Sequence, residues 1–449
     1  MIASPHINVP YTRRGSVVVV VMWSIALGAL LVSSVQLRGY RQKAIGTEAV
    51  ARVQARWAAR GGIEFTIAVM ADQTQNPVPD DAFAIVREMD YIAAGDLLNA
   101  SYDIRHHADG QTWAGPMDEH SKINVNTTLE ERGLLLALRD MTFDVADAIF
   151  DWIDEDDEVR ALGAERDYYL SSSNSYEPRN APMRSIAELE LVAGIWPEYL
   201  RGEDWNLNNR LDANEDDGER TWPDDEADQQ LDAGWSAYLT TYSTRSAIGA
   251  SGLPKIRLGA ADPAQLMDRI GVDEATAEAL VNFGRNEDNQ MVQLLEVFMQ
   301  SRTTAGGTSP RAAGSAAPLL EEDQLRLVLA ETMIDNPTRR QPGKMNINTV
   351  SAALLRQLFF TREYLADEII YLRSSRQEGI TSLVDLTDIP AFQEDAEAFS
   401  FVARNMDTTS SVYSISSRGR SWSGGIEVEI TVVVDRSTLP IRILEYREQ

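Results

Sequence analysis

Arg13-Arg-Gly-Ser-Val-Val-Val-Val-Val-Met-Trp-Ser-Ile-Ala-Leu-Gly-Ala-Leu-Leu-Val-Ser-Ser-Val-Gln-Leu37 is the stretch whose reading decides the rest of the chain. Two arginines and a glycine lead into an uncharged run, Val17 to Val35. As a helix rising about 1.5 Å per residue, that run is about 28 Å long, close to the hydrocarbon thickness of a bilayer. The sequence contains no second run of this kind, so residues 38–449 read as a soluble body held by its front end.

The flanks refine the reading. A secretory signal has a shorter apolar core followed by small residues at a cleavage site. Here Leu37-Arg-Gly-Tyr-Arg-Gln-Lys43 follows, which is basic and bulky. A short, weakly basic leader ending in Gly15, with the apolar run beginning at Ser16, resembles a prepilin peptidase substrate. In that case cleavage falls between Gly15 and Ser16 and the apolar segment stays on the mature chain. An uncleaved signal anchor is the plainer alternative. Most pilin-like proteins carry Glu at the fifth mature position, and this chain has Val20 there.

Composition bounds the classes. The chain has 449 residues, 44% hydrophobic, enough for two or three structural units with real cores. A formal charge of −28 and a pI near 4.5 disfavour nucleic acid and anionic lipid and favour cations. There is no cysteine, so the body is not built on disulfides. Arg13 and Arg14, kept inside, would place the body outside the cytoplasm, whereas Arg38, Arg41 and Lys43 oppose that orientation.

Residues 38–72 continue the helix. Ala44, Ile45, Ala49, Val53, Trp57, Ala58, Ile63 and Ile67 recur at three- and four-residue steps and predict one apolar face. Gly28, Gly39, Gly46 and the pair Gly61-Gly62 read as weak points, each costing about 1 kcal/mol relative to Ala. Asn76-Pro-Val-Pro79 ends the helix, and a further helix fits within Asp80 to Gly95. Ser101–His107 and Gln111–Ala114, joined at Asp109-Gly110, predict a hairpin with His106 and His107 on opposite sides. Runs at Ser411–Ser417, Gly425–Asp435 and Leu439–Tyr446 predict three more antiparallel strands at the end of the chain.

Between the hairpin and those strands lies an internal repeat. Lys122-Ile-Asn-Val-Asn-Thr-Thr, Lys255-Ile-Arg-Leu-Gly-Ala-Ala and Lys344-Met-Asn-Ile-Asn-Thr-Val each precede a predicted helix pair. The pairs are Glu130–Arg139 with Phe143–Ile153, Pro263–Ile270 with Asp273–Arg285, and Ala352–Phe359 with Glu363–Ser374. Short closing segments follow at Ser185–Leu191, Val292–Phe298 and Ser382–Thr387. This is helix–hairpin–helix material, with Asn or Thr after each extended piece suited to capping. Residues 302–318 read as a flexible linker. Used on DNA, such hairpins need amides and basic side chains against phosphate. These turns carry Asp140, Asp144, Asp273 and Glu274, which favours packing over nucleic-acid binding.

One segment is built for a cation. Asp204-Trp-Asn-Leu-Asn-Asn-Arg-Leu-Asp-Ala-Asn-Glu215 follows the calcium-loop pattern D-x-[DN]-x-[DN]-G-x5-E, with Asn209 in the glycine position. Asn tolerates positive φ better than any residue but Gly. Asp204, Asn206, Asn208, the carbonyl of Arg210, Asp212 and Glu215 would supply the oxygens for a structural Ca²⁺. Asp224, Glu226, Asp228 and Asp232 repeat the phase as a weaker second site, with Trp235 where the last acid belongs. Residues 203–232 hold 12 acidic and two basic side chains, so a solvated acidic loop is the alternative. The interleaved Trp205, Leu207, Leu211, Trp222 and Trp235 read as residues meant for burial, which argues for an ordered loop. Asp151-Trp-Ile-Asp-Glu-Asp-Asp-Glu158, at a predicted helix C-terminus where carboxylates oppose the dipole, is a further candidate cluster.

Enzyme signatures are absent from the sequence. It has four histidines (His6, His106, His107, His120), no H-E-x-x-H, no G-x-S-x-G, no P-loop and no G-x-G-x-x-G. A non-enzymatic role is therefore expected. A signal-anchored periplasmic hydrolase with an unrecognised site and a membrane-anchored, competence-type DNA-binding protein are the rival readings.

Taken in order, these pieces resemble the type II secretion system minor pseudopilin K (general secretion pathway protein K) family. The residues that carry the resemblance are Arg14-Gly-Ser16, the Val-rich segment lacking Glu at Val20, and Ala58 with Gly62-Ile-Glu64 in the emerging helix. Lys122–Thr127, Asp151-Trp-Ile-Asp154, Asn180-Ala-Pro-Met-Arg-Ser-Ile-Ala-Glu-Leu189, Lys344–Thr349 and Ile443–Glu448 complete the set. The resemblance implies an α+β, pilin-like fold: a long N-terminal helix on an antiparallel sheet, interrupted by a large all-α insertion with helix–hairpin–helix-like repeats. The expected layout is a leader (1–15), an N-terminal helix (16–72, transmembrane over 16–37) and first strands (73–121). The insertion (122–405, with cation loops at 203–235) and final strands (406–449) follow. It further implies a place at the tip of the periplasmic pseudopilus with minor pseudopilins I and J. The chain would be processed by prepilin peptidase and anchored once in the inner membrane, with no nucleic-acid partner. Ser16 departs from the Phe usual in pilins at that position.

Overall fold

A single helix, α1 (Ser16–Gln75), runs 60 residues from the apolar segment into the body. The computed structural model describes residues 16–78, 80–97, 99–286, 288–303, 317–334 and 341–448. The leader with Gly15, and most of the 302–318 linker, lie outside the described residues. From Val17 to Leu37 the apolar side chains of α1 are exposed, and this is the one helix among the described residues long and apolar enough to cross a membrane.

Where α1 meets the body, its buried side is only in part the predicted one: Ala58 and Ile63 are buried and Ile67 packs against the same core. Ala51, Ala55, Ala58, Ala59, Ile63, Thr66 and Met70 are buried, while Ile45, Val53 and Trp57 stay exposed. The stripe that packs is made of small residues because the sheet comes very close. A Cβ on Gly419 would lie 1.9 Å from the Ala55 carbonyl oxygen, and one on Gly62 would lie 2.5 Å from the Tyr102 ring. Gly62 is thus a packing site, whereas Gly28, Gly39 and Gly46 face open space.

After α1 come α2 (Ala84–Tyr91) and strands β1 (Ala94–Leu97), β2 (Ala100–Ala108), β3 (Gln111–Ala114) and β4 (Met117–Asp118). Asp109 (φ 50°) and Gly110 (φ 68°) both take the left-handed region that a two-residue hairpin turn demands.

The chain then enters the helical unit, which has three related parts. The first holds β5 (Ile123–Asn124), α3 (Gly133–Leu136), α4 (Phe143–Ile153), α5 (Arg166–Ser171), α6 (Pro197–Arg201) and β6 (Leu239–Thr240). The second holds β7 (Ile256–Arg257), α7 (Pro263–Ile270), α8 (Glu274–Arg285), α9 (Val292–Thr303), α10 (Glu322–Glu331) and β8 (Thr332–Met333). The third holds β9 (Met345–Asn346), α11 (Ala352–Leu358), α12 (Glu363–Ser375), α13 (Pro390–Glu394), α14 (Ala396–Asn405) and β10 (Met406–Asp407). Each part is closed by a two-residue parallel pairing: β5 with β6, β7 with β8, β9 with β10. One continuous apolar core, from Ile123 to Met406, joins all three. Two expectations shift. Glu130–Arg139 holds only the four-residue α3 after a 3-10 turn, and residues 406–407 close the third repeat instead of starting the final strands.

The repeated Lys-x-Asn-x-Asn has one job in the first and third parts. Lys122 Nζ donates to the Ser236 carbonyl (2.8 Å), and Lys344 Nζ donates to that of Ala403 (2.7 Å). Asn124 and Asn346 turn the chain by accepting the N–H two residues on. Asn126 clasps both backbone groups of Met183 (2.7 and 3.1 Å), as Asn348 does those of Ile380 (2.8 and 2.9 Å). The middle part, Lys255-Ile-Arg-Leu-Gly, lacks both asparagines. Asn348 is buried, so Asn348→Ala would strand an N–H and a C=O in the core at a cost of about 2–3 kcal/mol. Urea denaturation of the full chain measures this, and an unshifted midpoint would show the clasp to be dispensable.

The closing strands β11 (Val412–Ser421), β12 (Glu427–Asp435) and β13 (Arg442–Glu448) return to the first sheet. The order is β1-β2-β11-β12-β13, antiparallel, with β3 beside β2 and β4 beside β11. Gly419 stands opposite Tyr102, so the earliest and latest strands meet directly under α1. A second core of α1, α2 and sheet residues fills that layer.

Candidate cation loops at the seam between sheet and insertion

Asp204 is fully buried, and its carboxylate accepts the N–H of Asn208 (Oδ1, 2.9 Å) and of Asn209 (Oδ2, 2.9 Å). Asn206 Oδ1 accepts the Asn208 N–H (2.9 Å), and Asn208 Oδ1 accepts that of Arg210 (2.8 Å). These short side-chain-to-backbone bonds are what Asp and Asn do best, and they wind residues 204–210 into a tight coil. Leu207 and Asn209 both sit at φ 54°, so the asparagine in the glycine position holds the backbone that position requires. Glu215, buried, closes the loop by accepting the Asp212 N–H (3.0 Å). Asn206 and Asn208 each donate through Nδ2 to Asp212 Oδ2 (3.0 and 3.1 Å). The predicted set Asp204, Asn206, Asn208, Asp212 and Glu215 is therefore drawn into one coil.

The electrostatics are those of an acidic nest. Burial, followed by the neighbouring Asp204 and Asp212 charges, pushes Glu215 up to about 8. Burial pushes Asp204 up to about 6, against the pull of backbone amides and of Lys122 and Arg447. A hard dication would reverse both shifts, since carboxylate oxygens are its preferred ligands.

The loop also fastens the insertion to the sheet. Arg418 of β11 pairs with Asp212 and with Glu429 of β12 (2.7 Å), and Asn208 donates to Glu429 (2.8 Å). Arg210 pairs with Asp103 of β2 (2.6 Å), and Arg447 of β13 donates to the carbonyls of Asn206 and Leu207. His107 N–H donates to the Asn209 carbonyl (2.7 Å), and His107 Nε2 accepts the Leu231 N–H (3.2 Å). His106, on the other side of the strand, lies 2.9 Å from the Gly115 carbonyl. Glu429 and Arg418 are site neighbours that loop spacing could not reveal, because they lie more than 200 residues further along the chain.

The second loop differs from its predicted phase. Asp224, Glu226 and Asp228 are exposed. Asp225 is the residue turned inward, and its carboxylate collects the N–H groups of Asp217, Gly218 and Ala227 (3.0, 2.9 and 2.7 Å). Glu226 and Asp232 converge on Glu203, which the spacing omitted. Glu203 accepts the Asp232 N–H (2.8 Å) and is pushed to about 7 by burial and by those two acids. Asp228 bonds its own neighbour Gln230. Trp235, in the place of the last acid, is a core residue stacked on Tyr199, their ring centroids 5.4 Å apart. Leu207 is buried as expected, but Trp222 is exposed and packs edge-on against Trp205.

A second seam lies beside β4. Asp118, buried, accepts the hydroxyls of Thr349 and Ser410 (2.5 Å each) and the His120 N–H (2.8 Å). His120 bridges the Lys344 carbonyl (2.8 Å) and Ser411 Oγ (3.1 Å). The histidine is thus consumed in tying the third repeat to the sheet.

The Asp151–Glu158 segment ends α4. Asp151 is fully buried and pairs with Arg160 (2.9 Å), which also pairs with Asp154. The acids at this helix end are partly answered by that one guanidinium.

Residues 121–202, from the entry into the insertion through α6, match the family model described as type II secretion system (T2SS), protein K. The match covers this segment, 82 of the 449 residues. The matched residues hold the Lys122–Thr127 clasp, the α4 acids and the Asn180–Leu189 turn, and stop just before the 203–235 loops. The chain is also similar to a chain of the GspK-GspI-GspJ complex from the enterotoxigenic Escherichia coli Type 2 Secretion System. That likeness has 14% identity and a TM-score of 0.44, and covers 92% of this chain and 99% of that one. No curated protein matches the chain.

Proposed function

We propose that this chain is a minor pseudopilin of a type II secretion system, a non-enzymatic subunit that helps start the pseudopilus at its tip. The observation that carries this reading is where the family-matched segment sits. It opens a helical unit set between β4 and β11 of a sheet that lies on one long helix, whose first turns are exposed and apolar. That is the build of a subunit drawn by its helix from a bilayer into a filament. A subunit with Val20 instead of Glu makes no charge demand on a neighbour ahead of it, which suits a first position. The helix would cross the inner membrane once, with the body in the periplasm. The partners would be minor pseudopilins I and J, after prepilin peptidase has cut between Gly15 and Ser16.

The loops are proposed to hold structural calcium. Asp204, Asn206, Asn208, Asp212 and Glu215, with the Arg210 carbonyl, would take one ion, and the acids around Glu203, Glu226 and Asp232 a weaker second. What supports this is three carboxylates, of which Asp204 and Glu215 are buried, drawn into one coil beside Asn206 and Asn208, with Lys122, Arg418 and Arg447 as neighbouring cations. Calcium there would stiffen the strap that binds insertion to sheet.

Mass spectrometry of the chain purified from membranes, expressed with a prepilin peptidase, tests the central reading. The expected mature N-terminus is Ser16. An intact Met1, or cleavage after Ser34, would overturn it.

A further inference from the structure

We infer that Arg38, Arg41 and Lys43 form a collar on α1 that binds anionic phospholipid headgroups at the bilayer surface, on the side facing the body. The inference rests on reading the apolar run as a membrane anchor, and it adds a lipid partner to that reading. At about 1.5 Å per residue, Arg38 stands about 4.5 Å beyond Val35 and Lys43 about 12 Å beyond it. The headgroup layer is about 5–8 Å deep on each side of the hydrocarbon, and arginine and lysine stems are long enough to bend down into it. All three cations therefore end at headgroup level. Tyr40, exposed among them, has the amphipathic ring favoured at that depth.

The body leaves this stretch bare. Every residue of α1 from 38 to 50 is exposed, and burial begins only at Ala51, about 20 Å beyond Arg38. The charges also set the collar apart. The chain has 69 acidic side chains against 41 lysines and arginines, so a cation seldom lacks an acid nearby. Further along α1, Arg52 pairs with Glu48 (3.5 Å), Arg56 with Glu448 (2.8 Å) and Arg60 with Glu64 (3.4 Å). Before Glu48 the helix carries no acid at all. Among the described residues, no ion pair engages Arg38, Arg41 or Lys43, and the first acid along the helix is already held by Arg52.

A net charge of −28 repels anionic lipid, but that charge sits on the body. Contact between body and helix begins more than two Debye lengths from Arg38 at physiological salt, about 8 Å each, so the collar acts locally. Its layout selects lipid over a neighbouring helix. At about 100° per residue, Arg38, Lys43 and Arg41 point to about 0°, 140° and 300° around the axis, so they face every side. A packed helix touches one side, whereas headgroups surround the anchor and satisfy all three cations at once. Such a collar would fix the depth of α1 in the bilayer until assembly draws it out.

Native mass spectrometry of the full chain in mild detergent, titrated with dioleoylphosphatidylglycerol or dioleoylphosphatidylcholine, tests the collar. The wild-type chain should bind the anionic lipid more tightly than the zwitterionic one. Arg38→Gln, Arg41→Gln and Lys43→Gln together should weaken phosphatidylglycerol binding about a hundredfold, about fivefold per cation, and leave phosphatidylcholine binding unchanged. All three side chains are exposed, so the triple variant is expected to fold. Arg38→Lys with Arg41→Lys should bind the anionic lipid as wild type does, and Arg60→Gln, whose charge is paired with Glu64, should not alter it. Equal affinity of the wild-type chain for the two lipids would overturn the collar, as would wild-type phosphatidylglycerol binding by the triple variant. Alkaline carbonate extraction of membranes separates this from the anchor reading. Both chains should stay in the membrane, and release of the wild-type chain would overturn the anchor and the collar with it.

Discussion

Gly419→Val is expected to separate the long helix from the sheet. On β11, Gly419 faces the backbone of α1 with its Cα side, and a Cβ there would stand 1.9 Å from the Ala55 oxygen and 2.6 Å from the Ala59 nitrogen. Both are main-chain atoms inside a regular helix, so no side chain can rotate away. The helix would have to lift, uncovering Ile63, Met70 and the apolar face of β2, β11 and β12. Overpacking that side-chain motion can relieve costs about 1–3 kcal/mol, and this substitution should exceed that range. On the proposed role, in which α1 also anchors the chain, the same variant should fail to support secretion even where it accumulates. Denaturant unfolding of the purified chain gives the first readout and export of a reporter substrate the second. A wild-type midpoint would mean the helix does not rest on β11 as closely as described.

Removing calcium at pH 8 should destabilise the chain, and the loss should fade as the pH is lowered. The sign follows from the loop acids. Asp204 rises from 3.8 to about 6 and Glu215 from 4.5 to about 8 in the folded chain, burial being the leading cause for each. A carboxyl whose folded value lies above its unfolded one stabilises the fold while protonated, below its unfolded value of about 4. That contribution is lost as pH climbs through 6 and towards 8. The metal-free chain should therefore weaken steadily from pH 4 to pH 8. Calcium, which needs the ionised forms, should restore about 3 kcal/mol at pH 8 when present at about 100 times its dissociation constant, and almost nothing at pH 4. Glu215→Gln sharpens the test: at pH 8 it should stabilise the metal-free chain while reducing its response to calcium. Thermal melts with and without chelator across this range decide it. Identical melts at pH 8 would remove calcium from the 204–215 loop.

What local pattern can encode was legible. The hairpin at Asp109-Gly110, the returning strands and the helices at 143–153 and 263–270 follow period and punctuation, and their bounds in the structure agree closely. The repeat was visible as Lys-x-Asn-x-Asn in its first and third parts, although the purpose of that motif was not. Asn126 and Asn348 grip Met183 and Ile380, residues 57 and 32 positions away. Periodicity misjudged part of α1, because Val53 and Trp57 offer more apolar surface than alanine. The helix nonetheless buries Ala51, Ala55, Ala58 and Ala59, since only small side chains allow so close an approach.

The candidate sites divide along the same line. Spacing picked out the 204–215 coil because its acids and asparagines are neighbours in sequence and wind themselves into place through local hydrogen bonds. The second loop slipped its phase: which of Asp224 and Asp225 faces inward depends on a backbone path set by Gly218 and by Trp235 in the core. Glu165 drew no notice beside Asp154 and Asp156, since nothing in the sequence says that a residue 11 positions beyond Asp154 lies next to it.

By itself, then, the sequence determined the long apolar helix, the strands, the repeat and the acidic coil, all of which depend on contacts a few residues long. Tertiary structure alone decided which face of the long helix is buried, how the coil straps the insertion to β2, β11, β12 and β13, and which carboxylate oxygens lose their water. Those outcomes depend on burial and on meetings between distant segments, and the energy of a buried charge is set by what surrounds it, not by its neighbours in the chain.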